Sequence, residues 1–384
     1  MNKLTVGVFF GSRSTEHDIS IVTALSAVIK PLELSKKYTV IPIYIAKDGR
    51  WFADQALADI SLFRSGKIDA WCARNKPVQL VFDRGLKLVT PGLRGKTITI
   101  DVAFPATHGT HGEDGELMGI FEMAGIPYVG CGPTASAIAM DKVLAKQTVA
   151  ADGIPIARSV SFTKYDFELN PKPYLDQIKR LHYPLFIKPA HLGSSIGISR
   201  VTAQADVANA IEVALHYDTR ALVEEAVQNL VEVTLPIMGN ERPTPALLEQ
   251  PITHAEDFFD FETKYIRGEK GSGKGQKGAQ GYSKLPAELP KKLYDKAVAT
   301  GIAAYKALGC SGIARVDMLI DAKTQTVYFN EANPLPGSLY AHNWARAGVS
   351  GVDLVDRLVG FALERAEAGK QSELVFKTNF LQQF

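Results

Sequence analysis

Two short runs near the C-terminus hold residues whose types and spacing suit chemistry: Arg315-Val316-Asp317-Met318-Leu319-Ile320 and Val327-Tyr328-Phe329-Asn330-Glu331-Ala332-Asn333. Each reads as an apolar strand, with Asp321 to Gln325 as the turn between them. Residues i and i+2 of a strand share a face. Arg315 and Asp317 therefore point one way, and Glu331 and Asn333 can point together from the next strand. Two carboxylates and an amide oxygen are hard ligands suited to Mg2+, which takes few protein ligands and fills its remaining positions with nucleotide phosphates. An arginine beside them can neutralise charge on a transferring phosphoryl group. A hairpin with solvated polar ends explains either strand alone; two such pairs on adjacent strands argue against it.

A phosphate-binding segment is legible at Phe186-Ile187-Lys188-Pro189-Ala190-His191-Leu192-Gly193-Ser194-Ser195-Ile196-Gly197. A buried strand delivers Lys188, and the Gly/Ser-rich turn after it offers backbone N–H groups and hydroxyls to anions. The competing reading is a plain glycine turn, but an ammonium at a buried strand end needs a partner. Further upstream, the polar turn Gly11-Ser12-Arg13-Ser14-Thr15-Glu16 follows the first strand, where ligands bind in open α/β sheets. The loop His108-Gly-Thr-His111-Gly-Glu113-Asp-Gly115 also follows a buried strand and precedes a helix, making a second wall for the same cleft. Gly268 to Gly275 has P-loop-like spacing, but Gly275 stands where a metal-binding hydroxyl belongs and no buried strand leads in. A flexible surface lid is the better reading of 267–281.

These segments must be positioned by more than one core. A chain of 384 residues exceeds what one hydrophobic core supports, so two or three domains are expected. Hydrophobic residues at 46% and charged residues at 22% are ordinary for a globular protein. The formal charge of +2 leaves no footprint for nucleic acid or an anionic membrane. Cys72, Cys131 and Cys310 are far apart with no CxxC, which favours free thiols in a reducing compartment over disulfides or zinc. The start, Leu4 to Phe10, reads as a strand and not as a signal peptide, and no run is long enough to span a membrane. The expected location is the cytoplasm.

Strands are predicted at Leu4–Phe10, Thr39–Ala46 and Thr97–Pro105, with helices at Ile19–Ile29 and Gly115–Ala124: α/β alternation around a mostly parallel sheet. A second unit starts near Asp141 with a helix to Ala151, then strands Val160–Phe162, Leu185–Pro189 and Ala221–Glu225 and a helix near Ala203–Leu215. From Val231 the pattern is strand-rich, and helices Lys291–Leu308 and Gly351–Ala368 close the chain.

In order and combination, GSRSTEHDIS, HGTHGEDGELMGIFE, MDK at 140–142, FIKPAHLGSSIGIS, LVEE at 222–225, DFETKY at 260–265, GIARVDMLI and NEANPLPG resemble the D-alanine–D-alanine ligases of the ATP-grasp superfamily. The resemblance runs from Gly11 to about Gly337. It implies a three-domain ATP-grasp fold: an N-terminal parallel-sheet α/β domain (1–141), then central (142–224) and C-terminal (225–384) α+β domains with ATP between their antiparallel sheets. Carried over by motif, Lys142, Lys188 and Lys264 contact ATP phosphates. Glu224 and Val227 match the adenine-binding linker and Glu232 the ribose contact. Asp317, Glu331 and Asn333 match the ligands of Mg2+, with Mn2+ as the alternative. Glu16 would hold the ammonium of the first amino acid, and Ser194 and Tyr265 match hydroxyls linked to that glutamate. Arg315 would bind the acyl phosphate and the tetrahedral intermediate, assisted by the Gly337 amide; Ser338, His342 and His108 fall among the substrate contacts.

The resemblance implies that a carboxylate, most simply that of D-alanine, takes the γ-phosphoryl of ATP and that a second amino acid then attacks the acyl phosphate. It also implies a homodimer. The chain departs from the family pattern at 334–342, where Pro334 follows the metal-binding Asn in place of Thr. Within that segment His342 falls near a serine that binds the second substrate's carboxylate. The loop after Tyr265 is longer and richer in Gly and Lys than the family's, and Glu225 stands where lysine is common in the adenine linker. The first two departures leave open a ligase with another D-amino acid or hydroxy acid as acceptor, in resistance or secondary metabolism instead of peptidoglycan precursor synthesis. A nucleotide-binding regulator without ligase activity is the reading from another class, and the full set of lysines, metal ligands and Arg315 argues against it.

Overall fold

The computed structural model describes residues 3–92, 95–193, 196–252, 283–370 and 380–383. Its first strand, Leu4–Gly11, is almost wholly buried. Such a continuous apolar run belongs in the middle of a parallel sheet covered on both faces. It pairs in parallel with Tyr38–Ile45 on one side and Val102–Pro105 on the other, while Trp51–Ala53 adds an antiparallel edge. Gly11 ends the strand with φ 95°, where a Cβ would lie 2.2 Å from the Ile45 carbonyl oxygen. Only glycine turns the chain there, and the turn aims Ser12 to Glu16 across the end of the sheet.

The predicted strand Thr97–Pro105 is in fact two. Thr97–Ile100 joins an antiparallel sheet with Gln79–Phe82 and Leu86–Val89, and Val102–Pro105 joins the parallel sheet. The break is at Asp101, whose carboxylate accepts the Thr5 amide at 2.7 Å and whose own amide bonds the Thr5 carbonyl at 2.9 Å. The predicted helix Ile19–Ile29 is longer and irregular: α-helix His17–Val22, a wide π-helical stretch Thr23–Ile29, then α-helix Lys30–Ser35. Such wide turns mark places where a helix gives up regular bonding to aim a side chain, and this one opens at Thr23.

The following four-stranded sheet is antiparallel, in the order Ser199–Val201, Leu185–Pro189, Arg220–Glu225, Ser159–Thr163. A second antiparallel sheet runs Thr244–Pro245, Leu230–Met238, Ile313–Asp321, Thr326–Asn333. The helix Lys142–Ala151 begins at Asp141, whose carboxylate accepts the amides of Val143 and Leu144. The two long C-terminal helices are Lys291–Ala307 and Gly351–Gly369. The second shares a core with the first sheet: Val355, Leu358 and Val359 pack with Val8, Phe10, Val28 and Phe104. Thus the end of the chain completes the core begun by its start. Cys72, Cys131 and Cys310 are free and buried, as the cysteine usage suggested.

Candidate active site

The strands Ile313–Asp321 and Thr326–Asn333 place Arg315 opposite Asn333 and Asp317 opposite Glu331. A bulge after this pair, with Met318 opposite Phe329, leaves Asn330 as the extra residue. Thr234 lies opposite Asp317 on the other flanking strand and donates its hydroxyl to Asp317 Oδ1 at 2.9 Å. Arg315 binds the same carboxylate through both oxygens, Nε to Oδ1 at 2.9 Å and Nη2 to Oδ2 at 2.6 Å. Its guanidinium also sits 5.4 Å from the centre of the Tyr340 ring. The Asn333 amide nitrogen is 3.4 Å from Asp317 Oδ2, so the four residues named from strand alternation are assembled on one face.

Burial, together with the charge of Glu331, pushes the Asp317 carboxyl up from the usual carboxylate range, against the pull of Arg315. Two carboxylates held this close, with an amide oxygen beside them, form a donor set whose repulsion a divalent cation would relieve. The residues present therefore fit Mg2+.

Four lysine positions bear on this cleft. Lys142 donates to the Leu192 carbonyl at 2.7 Å and stands 3.6 Å from Glu331 Oε2. Lys188 pairs with Glu224 Oε2, and Glu224 Oε1 is 2.7 Å from Lys146. Lys146 was not legible as a site residue; its only signal is a lysine one turn after Lys142 on a helix whose neighbours are apolar. It also donates to the Phe329 carbonyl at 3.4 Å, joining the central sheet to the strand that carries Glu331. Burial opposes the charge on Glu224, but the two lysines outweigh it and hold the carboxyl down at about 2. The fourth, Lys264, lies outside the described residues, as do Ser194, Tyr265 and the segment 267–281.

Val227 is half-buried in the connection after strand Arg220–Glu225. Glu232 precedes Thr234 by two on Leu230–Met238 and so shares the face that meets Asp317. Glu225 is occupied at the surface, 3.0 Å from Arg158 and bonded to the His182 amide.

Glu16 sits just before helix His17–Val22. A methyl group built on Gly109 would lie 3.1 Å from its Oε2, and one on Gly193 3.6 Å from its Oε1. The carboxylate is therefore bracketed by the His108 loop, the expected second wall of its cleft, and by the glycine-rich loop. His108 itself lies behind that wall. It is buried, 2.8 Å from the Thr23 hydroxyl, and its other side bonds the Leu335 backbone. Thr23 in turn accepts the Ser338 amide at 2.9 Å. His108 thus braces the 335–338 segment. Burial keeps it neutral, with its pKa lowered to about 4. Neighbouring Glu113 is pushed up to about 8 by burial and by the charge of Glu16.

Gly337 faces open space. Ser338, Leu339 and Tyr340 follow with φ of 49°, 53° and 54°, three left-handed residues in a row and none of them glycine. The strain of such a run is of the kind stored at functional sites. His342 starts the next helix with Nε2 2.9 Å from Glu249 Oε2, and Glu249 also accepts Asn343 Nδ2 at 3.1 Å. The His342 Nε2 therefore already faces a carboxylate of the protein.

The family models described as "D-ala D-ala ligase N-terminus" and "D-ala D-ala ligase C-terminus" match residues 5–131 and 148–360. The chain belongs to the D-alanine–D-alanine ligase family. It is 38% identical to the D-alanine–D-alanine ligase of Chlorobium phaeovibrioides over 96% of this chain and 100% of that one. The corresponding enzyme of Geobacillus kaustophilus is 35% identical over 98% and 99% of the two chains. Among solved structures, the VanG D-Ala:D-Ser ligase from Enterococcus faecalis matches with TM-score 0.79 at 31% identity, covering 94% of this chain and all of that one. The D-alanine–D-alanine ligase from Coxiella burnetii matches with TM-score 0.79 at 28% identity, covering 97% of each chain. The family's α/β fold, a parallel N-terminal sheet followed by antiparallel sheets, is the one the sequence implied. No helix among the described residues is long and apolar enough to cross a membrane.

Proposed function

We propose that the protein is an ATP-dependent ligase that joins two D-alanine molecules for peptidoglycan precursor synthesis in the cytoplasm, acting as a homodimer. The observation that carries this reading is the convergence of Arg315, Asp317, Glu331 and Asn333 on one sheet face with Lys142 beside Glu331. Lys142, Lys188 and Lys264 hold the ATP phosphates, Glu224 and Val227 line the adenine side, and Glu232 meets the ribose. Asp317, Glu331 and Asn333 would hold Mg2+ or Mn2+, which would supply charge neutralisation for the phosphoryl transfer.

Glu16, linked to the hydroxyls of Ser194 and Tyr265, receives the ammonium of the first D-alanine. The carboxylate oxygen of that D-alanine forms a bond to the γ-phosphorus while the bond to the ADP oxygen breaks. The amine of the second D-alanine, after losing a proton, attacks the acyl carbon; phosphate leaves and the peptide bond forms. Negative charge builds on the acyl oxygen in this step, where the Arg315 guanidinium and the Gly337 amide face it. Water must be excluded from the acyl phosphate throughout, because hydrolysis would consume ATP without forming peptide. No protein nucleophile is required. Phosphate release from ATP, measured across a panel of D- and L-amino acids and hydroxy acids, tests the reading: D-alanine alone should support turnover.

A second reading, a ligase with a different acceptor, is favoured by the His342–Glu249 pair where the family pattern has a serine. His342→Ser would then change the KM ratio of D-alanine to D-serine as acceptors while leaving the donor KM alone. An unchanged ratio removes His342 from acceptor choice.

A further inference from the structure

His191 opens the segment that follows strand Leu185–Pro189, two residues before Gly193. Its Nδ1 is 2.9 Å from Asp218 Oδ1 and its Nε2 is 3.3 Å from Asp141 Oδ2. Ionised carboxylates only accept hydrogen bonds, so satisfying both requires a proton on each ring nitrogen. The ring is half-exposed, whereas the Asp218 and Asp141 side chains are only 6% and 7% exposed. Arg220 Nη1 donates to Asp141 Oδ2 at 3.0 Å, so the cluster holds two buried carboxylates and two cations. Without the imidazolium, Asp141 would keep the Arg220 guanidinium, while Asp218 would keep the His191 and Arg220 backbone amides. The same two hydrogen bonds raise the His191 pKa to about 9.

Each carboxylate is tied to a different part of the nucleotide cleft. Asp141 caps helix Lys142–Ala151 through the amides of Val143 and Leu144. Asp218 accepts the His191 amide at 2.8 Å and the Arg220 amide at 3.2 Å, at the start of strand Arg220–Glu225. Lys142 is bonded on both sides of His191: its amide donates to the Ala190 carbonyl at 3.0 Å and its ammonium to the Leu192 carbonyl at 2.7 Å. Moving His191 therefore moves both attachment points of the lysine that faces Glu331.

We infer that His191 is a positioning residue for the nucleotide phosphates: as a cation bridging Asp141 and Asp218, it fixes Ala190–Gly193 against the first turn of helix Lys142–Ala151 and so sets where the Lys142 ammonium stands. The inference rests on the reading of this cleft as an ATP site. It assigns His191 no contact with substrate and no proton transfer, so its loss should weaken nucleotide binding and spare the chemical step.

The test compares the unmodified protein with His191→Asn, which is uncharged and lacks the far ring nitrogen that reaches Asp141, and with His191→Arg, a cation with donors enough for both. ADP affinity is read by calorimetry, and ATP KM and kcat by phosphate release with D-alanine. His191→Asn should raise the ADP Kd and the ATP KM about tenfold, the scale of one charge-assisted hydrogen bond, with kcat at saturating ATP within about twofold. His191→Arg should restore most of the loss. An unchanged ADP Kd in His191→Asn, an equal fall in kcat, or failure of arginine to restore binding overturns the inference. Calorimetry needs no turnover, so absent phosphate release by the unmodified protein would count against the ligase reading while the affinity comparison still decides the role of His191. If ADP does not bind the unmodified protein, both fall.

Discussion

Asp317 grips the guanidinium of Arg315 with both carboxylate oxygens from two residues along the same strand, at 2.9 and 2.6 Å. Burial works against the arginine's charge, but Asp317 and Tyr340 favour it and hold its pKa above the ordinary arginine value. The guanidinium is thus charged and oriented before any substrate arrives. Lysine in its place keeps the charge and loses the planar fork. Arg315→Lys should lower kcat about a hundredfold or more, comparable to losing an oxyanion donor, with ADP affinity little changed. A variant with intact kcat and weakened nucleotide binding would place Arg315 in the ATP site instead.

Glu331→Gln keeps the shape of the strand and removes one of the two carboxylates on the face that carries Arg315 and Asn333. Turnover should be abolished at ordinary Mg2+, while the circular dichroism spectrum and Tm stay close to those of the unmodified protein. Near-normal rates at ordinary Mg2+ would exclude Glu331 as an essential ligand.

Glu224 is the buried counter-charge for Lys146 and Lys188. Glu224→Ala should cost about 3–5 kcal/mol in urea unfolding, because it leaves two ammonium groups desolvated without a partner. The sign with pH is fixed by the lowered folded-state pKa of about 2. The contribution is present above the unfolded glutamate pKa of about 4.3 and is lost as pH falls toward the folded value. The difference between unmodified and Glu224→Ala protein should shrink between pH 5 and 3. A difference that stays constant over that range would show that Glu224 acts through packing and not through charge.

His108 predicts the opposite kind of group, one that is buried and neutral. Its folded pKa of about 4 lies below the unfolded value of about 6.5, so below 6.5 the unfolded chain binds the extra proton first. Stability should fall as pH drops from 6.5 to 4, by roughly 3 kcal/mol in total. His108→Gln should lack this part of the decline. The check is urea unfolding of both proteins at pH 7 and pH 5, and parallel losses would refute it.

That Arg315, Asp317, Glu331 and Asn333 share a face was readable because strand periodicity is two and these residues are two apart on each strand. The same logic could not show that Thr234 completes the row, since register between distant strands is set by the fold. Lys146 escaped because an isolated lysine on an amphipathic helix looks like any solvated one until Glu224 is placed beside it. His108 was read as a cleft residue, and it does sit in that loop; which way its ring points depends on Thr23, in a helix 85 residues away in sequence. The break at Asp101 had no local signal either, because the residues on both sides favour strand and only the Thr5 backbone stops the run. Ser194, Lys264 and Tyr265 rest on motif alone.

The bulge at Asn330 has a bearing on how this enzyme can change in length. One unpaired residue separates Glu331 and Asn333 from the regular pairing of Val327 to Phe329. Removing Asn330 alone would close the bulge with Met318 still opposite Phe329 and Asp317 still opposite Glu331, whereas removing Ala332 would put Asn333 one place out of step with Arg315. Adding a residue between Glu331 and Asn333 would likewise turn Asn333 to the other face. The turn at 322–325 lies beyond that ladder and faces no such constraint, so insertions and deletions should accumulate there and be purged between Glu331 and Asn333.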